Sequence, residues 1–346
     1  MYEKELNLLK NSGRFRKRVI FDENFVDLAS NDYLGIAENS SVFEKAVQHC
    51  REYKSHSSKA SSLVTGYHHS HKLLEDYLCE KSGFEKGIVV GSGFLANLAI
   101  FEALGRRGDL IVLDEEFHAS GNMGVKLSQA EVRYFKHNDL EDLKSKIVGE
   151  FKRIFIGVEG IYSMKGDLVT KDICEFAVEN GVLIVDEAHS VGVVGENLMG
   201  VVDLYNLPTN KCIKMGTLGK AIGSYGAYIL ASDEIISFLE NRAKSIIYTT
   251  ALSPMDTLLA YYGFDFIEKN LNFFKKEIKI RQEFFGIESL IYIKEFQNVT
   301  EVMELKDFFI KKGILVGAIR PPTVKKPLIR VIPRINEEFK RILEWL

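Results

Sequence analysis

The sequence is poor in cysteine and lacks the long apolar runs of membrane proteins. Its 346 residues include four cysteines, Cys50, Cys79, Cys174 and Cys212, and no two of them form a Cys-x-x-Cys pair. A disulfide framework is therefore not expected, and a reducing cytoplasm is the expected location. No stretch approaches the roughly 20 apolar residues of a membrane-spanning helix, and no signal-peptide run opens the sequence. We expect no membrane association.

An excess of positive charge is also missing. Lysine and arginine total 45 and aspartate and glutamate total 48, so the formal net charge is −3. This balance argues against a broad basic surface, and we expect no nucleic-acid partner. A hydrophobic fraction of 46% argues against a disordered chain. The length allows two or three domains, or one large α/β domain with an appendage.

Short apolar runs alternate with longer amphipathic stretches over the middle of the chain, and the runs are typical of buried parallel strands. They are residues 87–90, 110–113, 154–158, 182–185 and 227–230. Residues 171–180 are predicted to form a helix that ends at Gly181. Beyond about Asp265 the sequence predicts a strand, a helix and a strand, at 290–293, 302–312 and 328–332. We predict an α/β fold with a mostly parallel central sheet between helices. Its parts are an N-terminal arm (1–35), a large domain (36–265) and a small C-terminal α+β domain (266–346).

An acidic residue directly follows one of these predicted strands. The segment Val182-Leu183-Ile184-Val185 leads into Asp186, and His189 comes three residues later. A buried acid is costly without a partner. Asp186 could therefore cap the next helix, bind magnesium, serve in a catalytic triad, or pair with a cationic cofactor nitrogen.

A lysine among small residues narrows these possibilities. Lys220 follows Thr217-Leu218-Gly219, and the segment lacks the glycine-lysine-serine/threonine order of a P-loop. A lysine with a threonine three residues earlier suits covalent attachment of a cofactor beside a phosphate ligand. Gly91-Ser92-Gly93 also follows a predicted strand and opens an apolar helical run, which is typical of a phosphate site. His118 follows another strand, where it could be an interior histidine or lie flat on an aromatic cofactor.

These motifs together resemble the α-oxoamine synthases, which are pyridoxal-phosphate (PLP) enzymes of the aminotransferase-like fold, fold type I. The matching segments, which run through nearly the whole chain, are residues 29–35, 63–66, 92–97, 118–120, 159–167, 186–189, 217–220 and 318–324. The resemblance implies an acyltransferase that uses PLP. It also implies a homodimer with the active site at the subunit interface.

The resemblance implies a role for each matching residue. Cofactor contacts are implied for Gly93, Phe94, His118, Ser163, Asp186, His189, Thr217 and Lys220. Lys220, His118 and Asp186 are the implied catalytic residues: the lysine that carries PLP and transfers protons, the histidine that stacks on the ring, and the acid at the pyridine nitrogen. Substrate contacts are implied for Asn31, Arg320 and Thr323, with Arg320 on the amino-acid carboxylate and Thr323 on the acyl substrate.

The string Ala318-Ile319-Arg320-Pro321-Pro322-Thr323-Val324 favours one branch of the family. That branch condenses L-alanine with a pimeloyl thioester, on CoA or on acyl carrier protein, and makes 8-amino-7-oxononanoate for biotin. Synthesis of 2-amino-3-ketobutyrate from glycine and acetyl-CoA is the alternative, and 5-aminolevulinate synthesis is a further one. An alternative of another class is a catalytically silent partner subunit, although the presence of Lys220 argues against it.

The sequence departs from the family before Leu63-Val64-Thr65-Gly66. Residues 54–62, Lys-Ser-His-Ser-Ser-Lys-Ala-Ser-Ser, stand where the family has a glycine-rich stretch. Glycines permit close approach of the backbone, so the geometry around the acyl substrate does not follow from the resemblance. Lys59 is a candidate partner for a distal carboxylate. The arm arginine of the family could be Arg14, Arg16 or Arg18. Residues 67–71 contain three histidines without a spaced carboxylate or cysteine partner, so no metal site is predicted.

Overall fold

Eleven strands form two sheets in the computed structural model, which describes residues 1–345. The strands are β1 Val26–Leu28, β2 Lys86–Val90, β3 Leu110–Asp114, β4 Glu131–Phe135, β5 Ile154–Glu159, β6 Val182–Asp186, β7 Cys212–Thr217, β8 Ala227–Ala231, β9 Tyr292–Glu295, β10 Ile314–Ile319 and β11 Leu328–Val331. The larger sheet has the order β2-β8-β7-β6-β5-β3-β4. Its strands from β4 to β7 pair in parallel, whereas β8 runs antiparallel to both β7 and β2. The predicted α/β fold with a mostly parallel sheet is confirmed.

Helices cover both faces of this sheet. The α-helices of the described residues, not all of which lie on this sheet, are α1 Glu3–Asn11, α2 Ser40–Arg51, α3 His69–Ser82, α4 Gly93–Leu104, α5 Ala119–Leu127, α6 Leu140–Lys146, α7 Lys171–Asn180, α8 Val201–Leu204, α9 Asp233–Arg242, α10 Lys244–Ile247, α11 Pro254–Lys269, α12 Leu271–Phe285 and α13 Val299–Lys311. Alternate strand residues enter different cores. In β3, Leu110 and Val112 belong to the core on one face of the sheet, which also contains residues of α3 and α7. Ile111 and Leu113 belong to the core on the other face, which also contains residues of α4 and α9. Strands buried on both faces explain why the sequence shows continuous apolar runs.

The smaller sheet has the order β1-β10-β11-β9. Its edge strand β1 comes from the N-terminal segment and pairs in parallel with β10, whose residues lie near the other end of the chain. Helix α13 packs on this sheet through Val302 and Phe309. The division into arm, large and small domain stays a prediction, and residue 346, the last of the predicted small domain, lies outside the described residues.

No helix within residues 1–345 combines the length and the apolar composition needed to cross a bilayer. Within the same residues, no group of three or more histidine, cysteine, aspartate or glutamate side chains is arranged to hold a metal ion.

Candidate active site

A cavity of about 260 Å³ opens where the central strands of the larger sheet end. Strands β5, β6 and β7 end at Glu159, Asp186 and Thr217, and helix α4 begins beside them. Ligands of open α/β sheets bind at this edge, outside the carboxyl ends of the strands. The lining residues are Gly93, Phe94, Asn97, His118, Ser120, Glu159, Asp186, Ala188, His189, Met215, Thr217 and Lys220. All predicted cofactor contacts except Ser163 are therefore brought together.

Asp186 is buried and held by neutral donors. The side-chain amide of Asn97 donates to its Oδ2 at 2.7 Å, and the backbone N–H of Ala188 donates to its Oδ1 at 2.9 Å. Neither donor carries a positive charge. The carboxylate can therefore still form an ion pair with a protonated ring nitrogen, which would keep that nitrogen charged.

Lys220 contacts a histidine instead of an acid. Its Nζ lies 2.9 Å from Nε2 of His189, whose Nδ1 lies 2.5 Å from the hydroxyl of Tyr33. Burial lowers the pKa of Lys220 to about 8, although Asp186 and Glu159 oppose the shift. Burial and the charge of Lys220 hold the pKa of His189 well below its ordinary value. A neutral His189 can accept a hydrogen bond from Lys220 through Nε2 and donate to Tyr33 through Nδ1.

His118 is joined to Asp186 through a chain of polar side chains. Its Nδ1 lies 2.7 Å from the hydroxyl of Ser120, which accepts a hydrogen bond of 2.9 Å from the amide of Asn97. His118 also caps helix α5, because its Nδ1 accepts the backbone N–H of Ser120 at 3.2 Å. These contacts fix the imidazole at the wall of the cavity, where it can lie against a flat ring.

The opposite end of the cavity is suited to a phosphate. Helix α4 begins at Gly93, so its free N–H groups and the positive end of its dipole face the cavity. A Cβ at Gly93 would lie 3.6 Å from Met215 and 4.0 Å from Thr217, so glycine leaves this wall open. The hydroxyl of Thr217 accepts the N–H of Gly219 at 3.2 Å. The residues present therefore fit PLP: an acid for its ring nitrogen, a lysine for its aldehyde and a helix start for its phosphate.

The predicted substrate residues lie outside this cavity. The guanidinium of Arg320 donates to the backbone carbonyl of Phe15 at 3.1 Å and lies 3.2 Å from the sulfur of Met303. Thr323 lines a second cavity of about 750 Å³ between the large sheet and the small sheet. Arg16 donates to the Thr323 hydroxyl at 3.3 Å, so its guanidinium lies beside this cavity. Which arginine of the arm meets substrate stays a prediction.

A buried arginine that the sequence analysis missed is closer to the reacting groups. Arg330 on β11 donates to the carbonyl of Ser163 through Nε and to Oδ1 of Asn31 through Nη1, each at 2.9 Å. Its Nη2 is buried and has no hydrogen-bond partner among the described residues. Its charge also lowers the pKa values of Lys220 and His189. A charged residue in an apolar strand was the signal that could have revealed it, since a buried charge requires a partner.

Tyr33, Asn97 and Glu159 are further residues of the site without a predicted role. Each lies inside a matching segment, so its position was quoted but its contact was not foreseen. Side-chain contacts between distant segments do not follow from sequence spacing, which explains the omission.

Comparison with known proteins identifies the family. Residues 23–344 match the family described as aminotransferase class I and II. The chain belongs to this family. The Helicobacter pylori (strain 26695) protein named 8-amino-7-oxononanoate synthase is 43% identical over 342 residues, with 96% of this chain and 92% of that protein covered. A putative 8-amino-7-oxononanoate synthase of Aquifex aeolicus is 36% identical, with 95% and 91% covered.

Solved structures are also similar to this chain. The 8-amino-7-oxononanoate synthase of Francisella tularensis has a TM-score of 0.78 at 28% identity, with 93% of this chain and 96% of that chain covered. A variant of the serine palmitoyltransferase of S. paucimobilis with bound PLP–myriocin has a TM-score of 0.90 at 21% identity, with 99% and 96% covered, which shows a shared fold. This aminotransferase-family chain is a PLP-dependent acyltransferase of the α-oxoamine synthase type, as the sequence motifs predicted.

Proposed function

We propose that this enzyme condenses L-alanine with a pimeloyl thioester to give 8-amino-7-oxononanoate for biotin synthesis. The reaction releases the carboxyl group of alanine as CO2 and releases the thiol of the thioester. The proposal is supported by 43% identity over 342 residues to a protein that carries this activity in its name. The structural observation that carries it is Lys220, with its Nζ 2.9 Å from His189 at the strand end where Asp186 lies.

The proposed role of Lys220 is to bind PLP and to move the α-proton of alanine. PLP, when bound, withdraws electrons from the carbon that loses this proton. A lysine with a pKa of about 8 is partly neutral near neutral pH, so it can accept the proton and return one later. Asp186 would keep the ring nitrogen protonated, and His118 would pack against the ring.

Arg330 is the proposed partner of the alanine carboxylate. Its free Nη2 and its charge lie beside the group of Lys220 and His189, and a guanidinium can hold a carboxylate through two parallel hydrogen bonds. Asn31 accepts a hydrogen bond from Arg330 and so orients it. The contacts of Arg320 and Thr323 suit the acyl side instead. Their predicted substrate roles remain proposals.

A homodimer is also proposed. Val64 and Tyr248 are 73% and 80% exposed in the single chain, and Leu63 and Tyr225 are 50% and 57% exposed. A bridge between Ser61 and Thr250 brings the segments of Val64 and Tyr248 together. Exposed apolar side chains that form a patch are typical of surfaces that another protein covers. A cytoplasmic location remains a prediction from the few cysteines.

The test is a steady-state assay of the purified protein. We expect kcat/KM to be highest for alanine with a pimeloyl thioester, measured on CoA and on acyl carrier protein in separate arms. A tenfold preference for glycine with acetyl-CoA, about 1.4 kcal/mol, would replace this proposal with 2-amino-3-ketobutyrate synthesis. Absence of turnover with every pair, in protein that holds PLP, would favour a silent subunit.

A further inference from the structure

Glu159 is a second buried acid in the cavity, and none of the predicted cofactor contacts uses it. Strands β5 and β6 are paired so that Glu159 lies opposite Asp186. The two residues are 3% and 4% exposed. Two carboxylates at neighbouring strand ends repel each other when both are charged. A single ring nitrogen needs only one of them.

The contacts of Glu159 reach two chain segments that carry cofactor residues. Its Oε2 accepts the backbone N–H of Ser163 at 3.3 Å. The backbone N–H of His118 also interacts with this carboxyl group. His118 lies in the turn after β3, whereas Ser163 lies in the loop after β5. One carboxyl group therefore ties together the two segments that form one side of the cavity.

The charge around Glu159 favours its neutral form. Burial and the negative charge of Asp186 raise the pKa of Glu159 well above its ordinary value, although the hydrogen bond from Ser163 and the charge of Lys220 oppose the shift. Of the other titratable or charged groups near the cavity, His189 is held neutral by burial, and Arg330 is charged and bound to Ser163 and Asn31. Tyr33 is neutral, with a pKa raised to about 12 by burial. A neutral carboxyl group still accepts backbone hydrogen bonds through its carbonyl oxygen.

We propose that Glu159 is a positioning residue that acts as a neutral hydrogen-bond acceptor and holds His118 and Ser163 in place around PLP. The inference rests on the proposed placement of PLP in this cavity and is independent of the identity of the acyl substrate. Its role is distinct from that of Asp186, which must be charged. A glutamine at position 159 would keep both the acceptor and the volume, whereas an alanine would remove both.

The variants Glu159→Gln and Glu159→Ala separate these possibilities. Glu179 is an exposed acid on α7, and Glu179→Gln and Glu179→Ala are matched controls. We would measure the dissociation constant of PLP, the circular dichroism of its visible band, and the pH midpoint of that band. None of these readouts requires the thioester. If the protein shows these cofactor signals but forms no product from the pimeloyl thioester, the proposed function is wrong and this inference is unaffected.

We expect Glu159→Gln to match the unsubstituted protein within about twofold in PLP affinity, with the same visible dichroism and pH midpoint. We expect Glu159→Ala to lose most of the dichroism and to bind PLP about tenfold more weakly or worse. A midpoint shifted by a full pH unit in Glu159→Gln would show that the charge matters and would overturn the inference. Wild-type signals in Glu159→Ala would overturn it as well. If Glu159→Ala does not fold, the glutamine variant alone decides between these outcomes.

Discussion

The side-chain amide of Asn97 donates a hydrogen bond of 2.7 Å to Asp186 and a second one of 2.9 Å to Ser120. Asn97 lies in helix α4, whose first turn forms the predicted phosphate site, so one residue links three parts of the cofactor cavity. Its Oδ1 is buried without a partner among the described residues. The amide is therefore fixed by its two donated bonds.

Removal of this amide should weaken cofactor binding. Asn97→Ala removes the side-chain hydrogen bonds from residue 97 to Asp186 and to Ser120. A hydrogen bond to a charged group contributes about 1.5–3 kcal/mol. We therefore expect PLP to bind about tenfold more weakly. Titration of the protein with PLP, followed by fluorescence, measures the change. Asn241→Ala on the exposed face of α9 is the control. An unchanged dissociation constant for Asn97→Ala would contradict the proposed role.

Capture of PLP by Lys220 should depend on pH. The charged amine cannot attack the PLP aldehyde, and the pKa of Lys220 is about 8. We therefore expect the rate of formation of the visible band to rise from pH 6 and to level off above about pH 8.5. Peptide mapping after borohydride reduction should find the pyridoxyl mass on Lys220. The mass on another lysine, or a rate that still rises steeply beyond pH 10, would refute this assignment.

His137 should give the folded protein a pH-dependent stability. Its Nδ1 lies 3.1 Å from Asp114 and its Nε2 lies 2.7 Å from Asp167. Burial opposes the charged form, but the hydrogen bonds to both acids raise the pKa of His137 from 6.5 to about 9. The contribution is therefore complete below about pH 6.5 and is lost as the pH rises towards 9. Partial exposure of Asp167 reduces its size to roughly 1–2 kcal/mol.

Urea unfolding of a His137→Gln variant at pH 6 and at pH 9.5 tests this expectation. The free energy of unfolding should fall below that of the unsubstituted protein at pH 6, and the difference should shrink at pH 9.5. His56→Gln, at an exposed histidine, is the control. An equal loss at both pH values would show that packing, rather than charge, accounts for the effect.

Substitutions of Arg330 and of Arg320 should affect the kinetics of different substrates. Arg330→Lys keeps the charge but loses the planar guanidinium group. We expect kcat/KM for alanine to fall by a factor that corresponds to a loss of roughly 2–4 kcal/mol of transition-state stabilisation, with PLP still bound. Arg320→Lys should act less on alanine and more on the thioester, because its guanidinium contacts Phe15 near the second cavity. Steady-state kinetics with each substrate varied in turn checks both variants. A larger effect of Arg320→Lys on alanine would restore the role that the sequence predicted for it.

The buried strands were well predicted from the sequence because a strand that is covered on both faces consists of a continuous run of apolar residues. Residues 110–113 and 182–185 lie in β3 and β6 almost to the residue. Strand β4 was missed because it lies at the sheet edge with two charged residues, Glu131 and Arg133. Strand β7 was missed because Lys214 and Gly216 interrupt it. The lysine is tolerated there since its Nζ donates to the buried carbonyl of Met199.

The site was predictable where a reactive side chain lies at or just after the end of a predicted strand, as Asp186 does at the end of β6 and His118 does after β3. It was not predictable where tertiary packing brings a side chain in from elsewhere. Arg330 arrives on a strand of the small sheet, and Tyr33 arrives from the segment before α2. Nothing in the spacing of either residue relates it to Lys220.

The pairing of β1 with β10 has a consequence for synthesis of the protein. Val26 is aligned with Ile314, so the edge strand of the small sheet is translated long before its partner. The residues between the two strands must be synthesised before this pair can form, and contacts of such sequence separation form slowly. Until then the backbone N–H and C=O groups of residues 26–28 must bond to water or to a chaperone. A fragment that starts at residue 266 would retain an open edge at β10, which is a template for association with other chains.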